Sequence, residues 1–348
     1  MKKVAILGFG YTAEKGHLPT YRSRTDIELT AVVDPITSRR AAALRQYPNI
    51  RVYENTQDLF QEYNKEFDII DVCLANAMHF EAIKQALNAN KHVICERPLV
   101  LNKNQYNEVV QLAQSKKRVI YPCHNYKFAP SIVHAAYLIS SGEIGKPVFA
   151  SFNIFGAGYS RGVPQWQPDW RKDKNMSGGG LMIDQGLDAI SAAQTLLGGI
   201  PQRISAQMKF LGDASQQMED LAVLCADWGS TLVNITISSL GSMQKSSYRI
   251  QGTEGEIYIE NNDVILNNKT QGIQHTFVPT YFDDSFHSNW FNGLIDDLIN
   301  CIENNIQPFS LTESGLVLDL IEKVQHSNNS GGAWMPIDYQ VKPLAFAG

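Results

Sequence analysis

The chain runs to 348 residues, 44% hydrophobic and 19% charged, which is enough for two domains with separate cores and excludes disorder and collagen-like repeats. Its formal net charge of −5, with basic residues scattered rather than striped, speaks against a nucleic-acid partner. No apolar run approaches membrane-spanning length, and the five cysteines (Cys73, Cys95, Cys123, Cys225, Cys301) lack metal-ligand spacing, which points to the reducing cytoplasm with no metal and no membrane contact.

Met1-Lys2-Lys3 leads into an apolar run that breaks at Gly8-Phe9-Gly10 with no small-residue cleavage site, so it reads as a first strand rather than a secretory leader. Strands are expected at Val4 to Leu7, Leu29 to Val33, Ile69 to Leu74, His92 to Cys95 and Val119 to Tyr121. Helices fit Ser38 to Arg45, Phe80 to Ala89 and Lys103 to Gln114. Continuous apolar strands separated by helices imply a doubly wound parallel sheet covered on both faces. After about residue 124 the rhythm changes. Helices are expected at Pro130 to Ser140 and Gly180 to Leu196. Strand-like runs follow at Arg203 to Phe210, Leu221 to Ala226, Thr231 to Ser238, Tyr248 to Gln251 and Glu256 to Ile259, and helices at Trp290 to Asn304 and Thr312 to Gln325 close the chain. Consecutive strands joined by Gly, Asn and Asp turns suggest a large, mostly antiparallel sheet. The expectation is an α/β protein: a doubly wound parallel-sheet domain over residues 1–123 and an α+β domain over 124–348.

Gly8-Phe9-Gly10-Tyr11-Thr12-Ala13 follows the first strand and opens a helix. The first glycine permits a tight turn, the second lets a pyrophosphate approach the backbone, and Ala13 stands in for the third at the helix–strand contact. The free N–H groups of the helix N-terminus then face the phosphates. Asp34, at the end of the second strand, is placed to bind the adenosine ribose hydroxyls. A carboxylate there repels a 2′-phosphate, which favours NAD, while Arg39 and Arg40 keep NADP open.

Glu96-Arg97-Pro98 sets two charges and an imide bond at the end of an apolar strand, where open α/β sheets bind ligands. An X-Pro bond adopts cis at modest cost, so this turn can aim Arg97 into a crevice.

With these pieces the chain resembles the Gfo/Idh/MocA family, which includes glucose-fructose oxidoreductase and inositol dehydrogenase. The resemblance runs through Gly8 to Ala13, Asp34, Ala75-Asn76 and His79, Cys95-Glu96-Arg97-Pro98, and Asn125-Tyr126-Lys127-Phe128. It continues through Ser141 to Pro147, Trp170-Arg171, Gly178-Gly179-Gly180 with Asp184, and Gln251 to Gly255. It implies an NAD(P)-dependent oxidoreductase for sugars or cyclitols, a homodimer or homotetramer through the C-terminal sheet, and a nicotinamide near Glu96, Arg97, Asn125 and Asp184. Cofactor-binding positions implied are Gly8, Phe9, Gly10, Tyr11, Thr12, Ala13, Asp34, Ala75, Asn76, His79, Glu96, Arg97, Asn125, Trp170 and Arg171.

Two departures set the chemistry. Where the family usually has Glu-Lys-Pro this chain has Arg97, and where it usually has Asp-x-x-x-His this chain has Asp184-Gln185-Gly186-Leu187-Asp188. Hydride transfer at a secondary alcohol needs matched proton movement, which arginine does not perform near neutral pH. Arg97 is therefore assigned an electrostatic role. Asp184 and Asp188, four apart on one helix face, repel each other in a shared pocket, which raises the pKa of one. Asp188 is the first candidate for proton transfer, the other reading being that it pairs with Arg97. A second carboxylate also suits an amine or imine, as in an amino sugar. His124, Lys127 and Tyr159 are further catalytic candidates, His124 having a loop-histidine alternative. Trp166, Trp170, Tyr281, Phe282, Phe286, Trp290 and Phe291 are candidates for stacking or for a core. The rival reading is a catalytically silent dinucleotide-binding sensor or assembly subunit.

Overall fold

The computed structural model describes residues 1–211, 218–278 and 288–339. The first sheet is built from β1 (Lys2–Leu7), β2 (Ile27–Val33), β3 (Arg51–Tyr53), β4 (Ile69–Val72), β5 (His92–Cys95) and β6 (Ile120–Pro122), in the spatial order 3-2-1-4-5-6. Every pairing in it is parallel. Strand order reverses between β1 and β4, and ligands of such sheets bind at that switch, outside the carboxyl ends of the strands. Helices α1 (Leu18–Ser23), α2 (Thr37–Gln46), α3 (Thr56–Tyr63), α4 (His79–Asn88) and α5 (Lys103–Lys116) connect the strands.

A π-helical stretch, Thr12–His17, precedes α1. The sequence reading passed over β3 and α3: three residues of strand carry no alternation to detect.

The second sheet has nine strands: β7 (Pro147–Phe155), β8 (Arg203–Lys209), β9 (Leu221–Asp227), β10 (Leu232–Ser238), β11 (Lys245–Gly252), β12 (Gly255–Glu260), β13 (Asp263–Asn268), β14 (Gly272–Phe277) and β15 (Met335–Pro336). All its pairings are antiparallel except that of β7 with β10. β7, β13, β14 and β15 were absent from the sequence expectation. In β7 the inward residues Ala150, Phe152 and Ile154 alternate with half-buried Phe149, Ser151 and Asn153, a pattern blurred by phenylalanine on both faces.

Helices α6 (Pro130–Ser140), α7 (Lys174–Ser177) and α8 (Leu187–Leu197) lie between β6 and β8 in the chain. The last two helices are α9 (Ser288–Glu303) and α10 (Phe309–Asn329). α9 packs Phe291, Leu294, Ile295 and Leu298 into the core beside β1 and β2. α10 is buried on both sides: Leu311 and Leu318 join the core of the first sheet, while Leu316, Val317, Leu320 and Val324 join that of the second. Two apolar stripes on one helix tie the sheets together and fix the cleft between them. Among the described residues no helix is long and apolar enough to cross a membrane.

Candidate active site

A cleft of about 650 Å³ opens at the switch point. Gly8, Gly10, Tyr11 and Thr12 line it after β1, Asp34 after β2, Cys73 to Asn76 after β4, and Glu96 and Arg97 after β5; Asn125, Tyr126, Trp170, Arg171, Asp184 and Asp188 complete the lining. Gly8 has φ +88, and a Cβ there would stand 2.7 Å from the Cys73 carbonyl oxygen. A Cβ on Gly10 would meet nothing within 4 Å, so that space is open to a ligand. Asp34 accepts hydrogen bonds from the Phe9 and Ile36 amides, both at 2.8 Å, which fixes its carboxylate at the cleft edge. These residues fit a dinucleotide: Asp34 would hold the adenosine ribose, the amides after Gly10 the pyrophosphate, and Glu96 with Asn125 would lie towards the nicotinamide.

Arg39 donates to the Phe9 carbonyl at 2.7 Å and pairs with Glu14 at 2.6 Å, and Arg40 donates to the Asp34 carbonyl at 2.7 Å. Both arginines are thus engaged in local structure.

The Arg97-Pro98 bond is cis. Beyond it, Arg97 Nη2 lies 2.6 Å from Asp188 Oδ2 and Nη1 donates to the Asp184 carbonyl at 2.8 Å. Burial works against the guanidinium charge, but Asp188 and Asp184 outweigh it and hold it above its ordinary value. Burial also pushes the Asp188 carboxyl up to about 7, with Arg97 pulling it down and Asp184 adding to the rise. Asp184 sits in a second π-helical stretch, Met182–Gly186, and Asp188 in the first turn of α8. Asp188 thus pairs with Arg97, one of the two readings posed by the sequence, and burial raises its carboxyl towards neutrality.

Arg171 lies over the Trp170 ring, 4.3 Å from its centroid, and 3.4 Å from Asp184. Burial lowers its pKa, and Asp184 opposes that.

Several expected residues stand elsewhere. His124 does not line the cleft; it is buried against Ser314 Oγ at 2.9 Å, and burial, with Lys127 and Arg97, pushes it down to about 3. Burial thus works against its serving as an acid–base group. Lys127 turns the same way, 3.9 Å from buried Glu313, because α10 offers the carboxylate. Tyr159 belongs to the covering loop, but its hydroxyl donates to the Glu219 carbonyl at 3.0 Å, away from the cleft. His79 is fully buried between the carbonyls of Pro98 and Leu74, supporting the turn rather than facing a ligand. Phe9 and Ala13 are core residues beneath the glycine loop. Asn76 lines the cleft while its side chain donates to the Ser177 carbonyl at 2.8 Å.

Of the aromatic group, Trp166, Trp170 and Phe291 line the cleft, and Trp290 packs edge-on to Tyr126. Tyr281, Phe282 and Phe286 lie outside the described residues. Cys95 and Cys123 are buried and Cys73 half-buried, their thiols raised well above the ordinary value by burial.

The sequence reading missed His17 and Asp71. His17 lines the cleft floor, its ring 2.8 Å from Asp71 and 3.0 Å from Glu96. The signal was a carboxylate inside the apolar strand Ile69-Ile70-Asp71-Val72, since buried charge demands a partner.

The model of the oxidoreductase family with an NAD-binding Rossmann fold (GFO/IDH/MocA) matches residues 2–124, and that of the GFO/IDH/MocA C-terminal domain matches residues 132–258. The chain belongs to the Gfo/Idh/MocA oxidoreductase family. It is 31% identical over 196 residues to D-glucoside 3-dehydrogenase of Escherichia coli, covering 56% of this chain and 54% of that one. It is 25% identical over 340 residues to D-xylose 1-dehydrogenase (NADP+) 2 of Haloferax volcanii, covering 94% and 98%. The chain spans about half the length of the curated relatives it matches at 31% identity. An oxidoreductase of Thermotoga maritima shares its fold with a TM-score of 0.81 at 25% identity, over 97% of this chain and 99% of that one. The parallel sheet, the glycine loop and Asp34 are thus those of an NAD(P)-binding domain.

Proposed function

We infer that this protein is an NAD-preferring dehydrogenase or reductase acting on a sugar-like or cyclitol secondary alcohol or ketone. The observation that carries the reading is the Asp188–Arg97 pair lining the same cleft as the glycine loop, because it supplies both proton handling and charge stabilisation. NAD(P), when bound, supplies the hydride acceptor or donor. Asp188 takes the hydroxyl proton in the oxidation direction and returns it in reduction. Arg97, held by Asp188 and the Asp184 carbonyl, presents fixed donors to the oxygen on which negative charge develops. Arg171 and Trp170 orient the ligand from the side, and the loop carrying Ser160, Arg161 and Trp166 covers it.

A neutral polyol suits this wall better than an amine, since Asp188 Oδ2 is already engaged by a cation. Preference for NAD rests on the Asp34 carboxylate and on the engagement of Arg39 and Arg40. The division of labour follows the chain, residues 1–123 for the dinucleotide and 124–348 for the substrate, with α9 crossing back to the first core. The outward face of the second sheet carries exposed Phe155, Val223 and Leu232, which supports self-association there. Unpaired cysteines support a reducing, cytoplasmic location.

The test is to incubate the protein with NAD or NADP and a panel of aldoses, glycosides and cyclitols, and with NADH and their oxidised forms. Turnover faster with NAD supports the reading. Tight NADH binding without turnover across the panel supports the silent sensor instead.

A further inference from the structure

His17 ends the helical turn that begins after the glycine loop and touches three other elements. Its Nδ1 lies 2.8 Å from Asp71 Oδ2 on β4, and its Nε2 lies 3.0 Å from Glu96 Oε1 beyond β5. The ring stacks on Phe291 of α9, with centroids 3.9 Å apart and planes 11° from parallel. Tyr21 of α1 donates to the same Asp71 oxygen at 2.8 Å, and the Cys73 thiol stands 3.3 Å from Nδ1. Cys123, beyond β6, completes the titratable surround with Glu96.

A neutral imidazole has one N–H, so it could donate to only one of these two carboxylates. With both carboxylates ionised, an acceptor stands at each nitrogen and the ring satisfies both only as an imidazolium. Burial alone would discharge it, but Asp71 and Glu96 prevail and push it up to about 10. The same charge holds the Glu96 carboxyl below its ordinary range, against its own burial. Glu96 lines the cleft on the side of the switch point away from Asp34.

We propose that His17 is a positioning residue, a fixed cation that keeps Glu96 ionised and aimed into the cleft, so that the nicotinamide-riboside half of the dinucleotide meets a rigid hydrogen-bond acceptor. This rests on the reading that NAD(P) occupies the cleft. With Asp34 at the adenosine ribose and the glycine loop at the pyrophosphate, the remaining stretch towards β5 receives the second riboside. The strut also ties the phosphate-binding turn to β4, to the turn after β5 and to α9, so the loop and Glu96 share one anchor. A metal held by His17, Asp71 and Cys73 is a poorer account of the cluster, because both ring nitrogens are already spent on carboxylates.

The experiment compares the unmutated protein with His17→Gln by calorimetry, using NADH and ADP, which lacks the nicotinamide riboside. His17→Gln is expected to weaken NADH roughly tenfold or more while leaving ADP within about twofold, since the lost contact is a charge-assisted one. Nitrogen NMR of the His17 ring at about pH 8 should show both nitrogens protonated, a measurement that needs no variant to fold. One protonated nitrogen, an equal loss for NADH and ADP, or unchanged NADH binding by His17→Gln overturns the proposal. If the unmutated protein binds neither NADH nor ADP, the occupancy of the cleft fails with it, whereas equal NADH binding by both proteins sinks the strut alone.

Discussion

Replacing Asp188 by asparagine removes the proposed proton carrier while keeping an oxygen for Arg97. In the native protein Asp188 Oδ2 lies 2.6 Å from Arg97 Nη2, and the guanidinium has a second anchor in the Asp184 carbonyl. The variant therefore keeps a bond from the guanidinium to an amide oxygen in place of one to a carboxylate, at a cost of about 1–2 kcal/mol. A positioned acid–base group contributes roughly 10²–10⁴ in rate, so kcat for the best alcohol substrate should fall at least ~10²-fold. Oxidation needs the ionised carboxylate. Its rate in the native enzyme should rise with pH and level off above about 7, ketone reduction should fall through the same window, and both steps should vanish in Asp188→Asn. Stability runs with its own sign. The folded carboxyl sits above its ordinary value of 3.8, so the native state holds the extra proton, and this group's contribution is lost as pH rises towards about 7. Asp188→Asn should accordingly look least damaging at the alkaline end of that window. The assay is NADH absorbance against pH in both directions, with denaturant melts alongside. Activity within about threefold of native, or a surviving step near 7, refutes the assignment.

The two glycines of the loop should separate fold from ligand binding. Gly8→Ala, forced to φ +88 against the Cys73 carbonyl, should lose about 2–4 kcal/mol of stability in urea melts, whereas Gly10→Ala should melt like the native protein yet bind NADH about tenfold more weakly in calorimetry. Asp34→Ser should raise the NADP-to-NAD ratio of kcat/KM about tenfold by removing a repelling carboxylate, and cost ~1–3 kcal/mol because the Phe9 and Ile36 amides lose their acceptor. His124→Gln should leave the pH–rate profile unmoved, since this histidine is already neutral across the working range; a shifted profile would return it to the reaction.

Most of the N-terminal fold was legible from local pattern because its longer strands carry apolar runs with helices between them, so neighbouring residues carry the message, whereas β3 is too short for such a run. Gly8, Gly10 and Asp34 were legible for a related reason: a turn, a close approach and a strand end constrain residue type at their own positions. The departures at Arg97 and Asp188 could also be read one residue at a time. What the sequence left open was every feature decided by which distant side chains meet. His124 and Lys127 follow β6 just as Glu96 follows β5, yet α10 arrives from nearly 190 residues away with Ser314 and Glu313 and draws them out of the cleft. Asp188 was a candidate proton carrier from the sequence, but its burial beside Arg97 and the raised carboxyl that follows were decided by the fold, and His17 became a cation only when Asp71 and Glu96 closed on its two nitrogens. Residue type thus determined the sheet and the cofactor loop. Desolvation and long-range pairing, which exist only in the folded chain, decided which groups carry charge at the site.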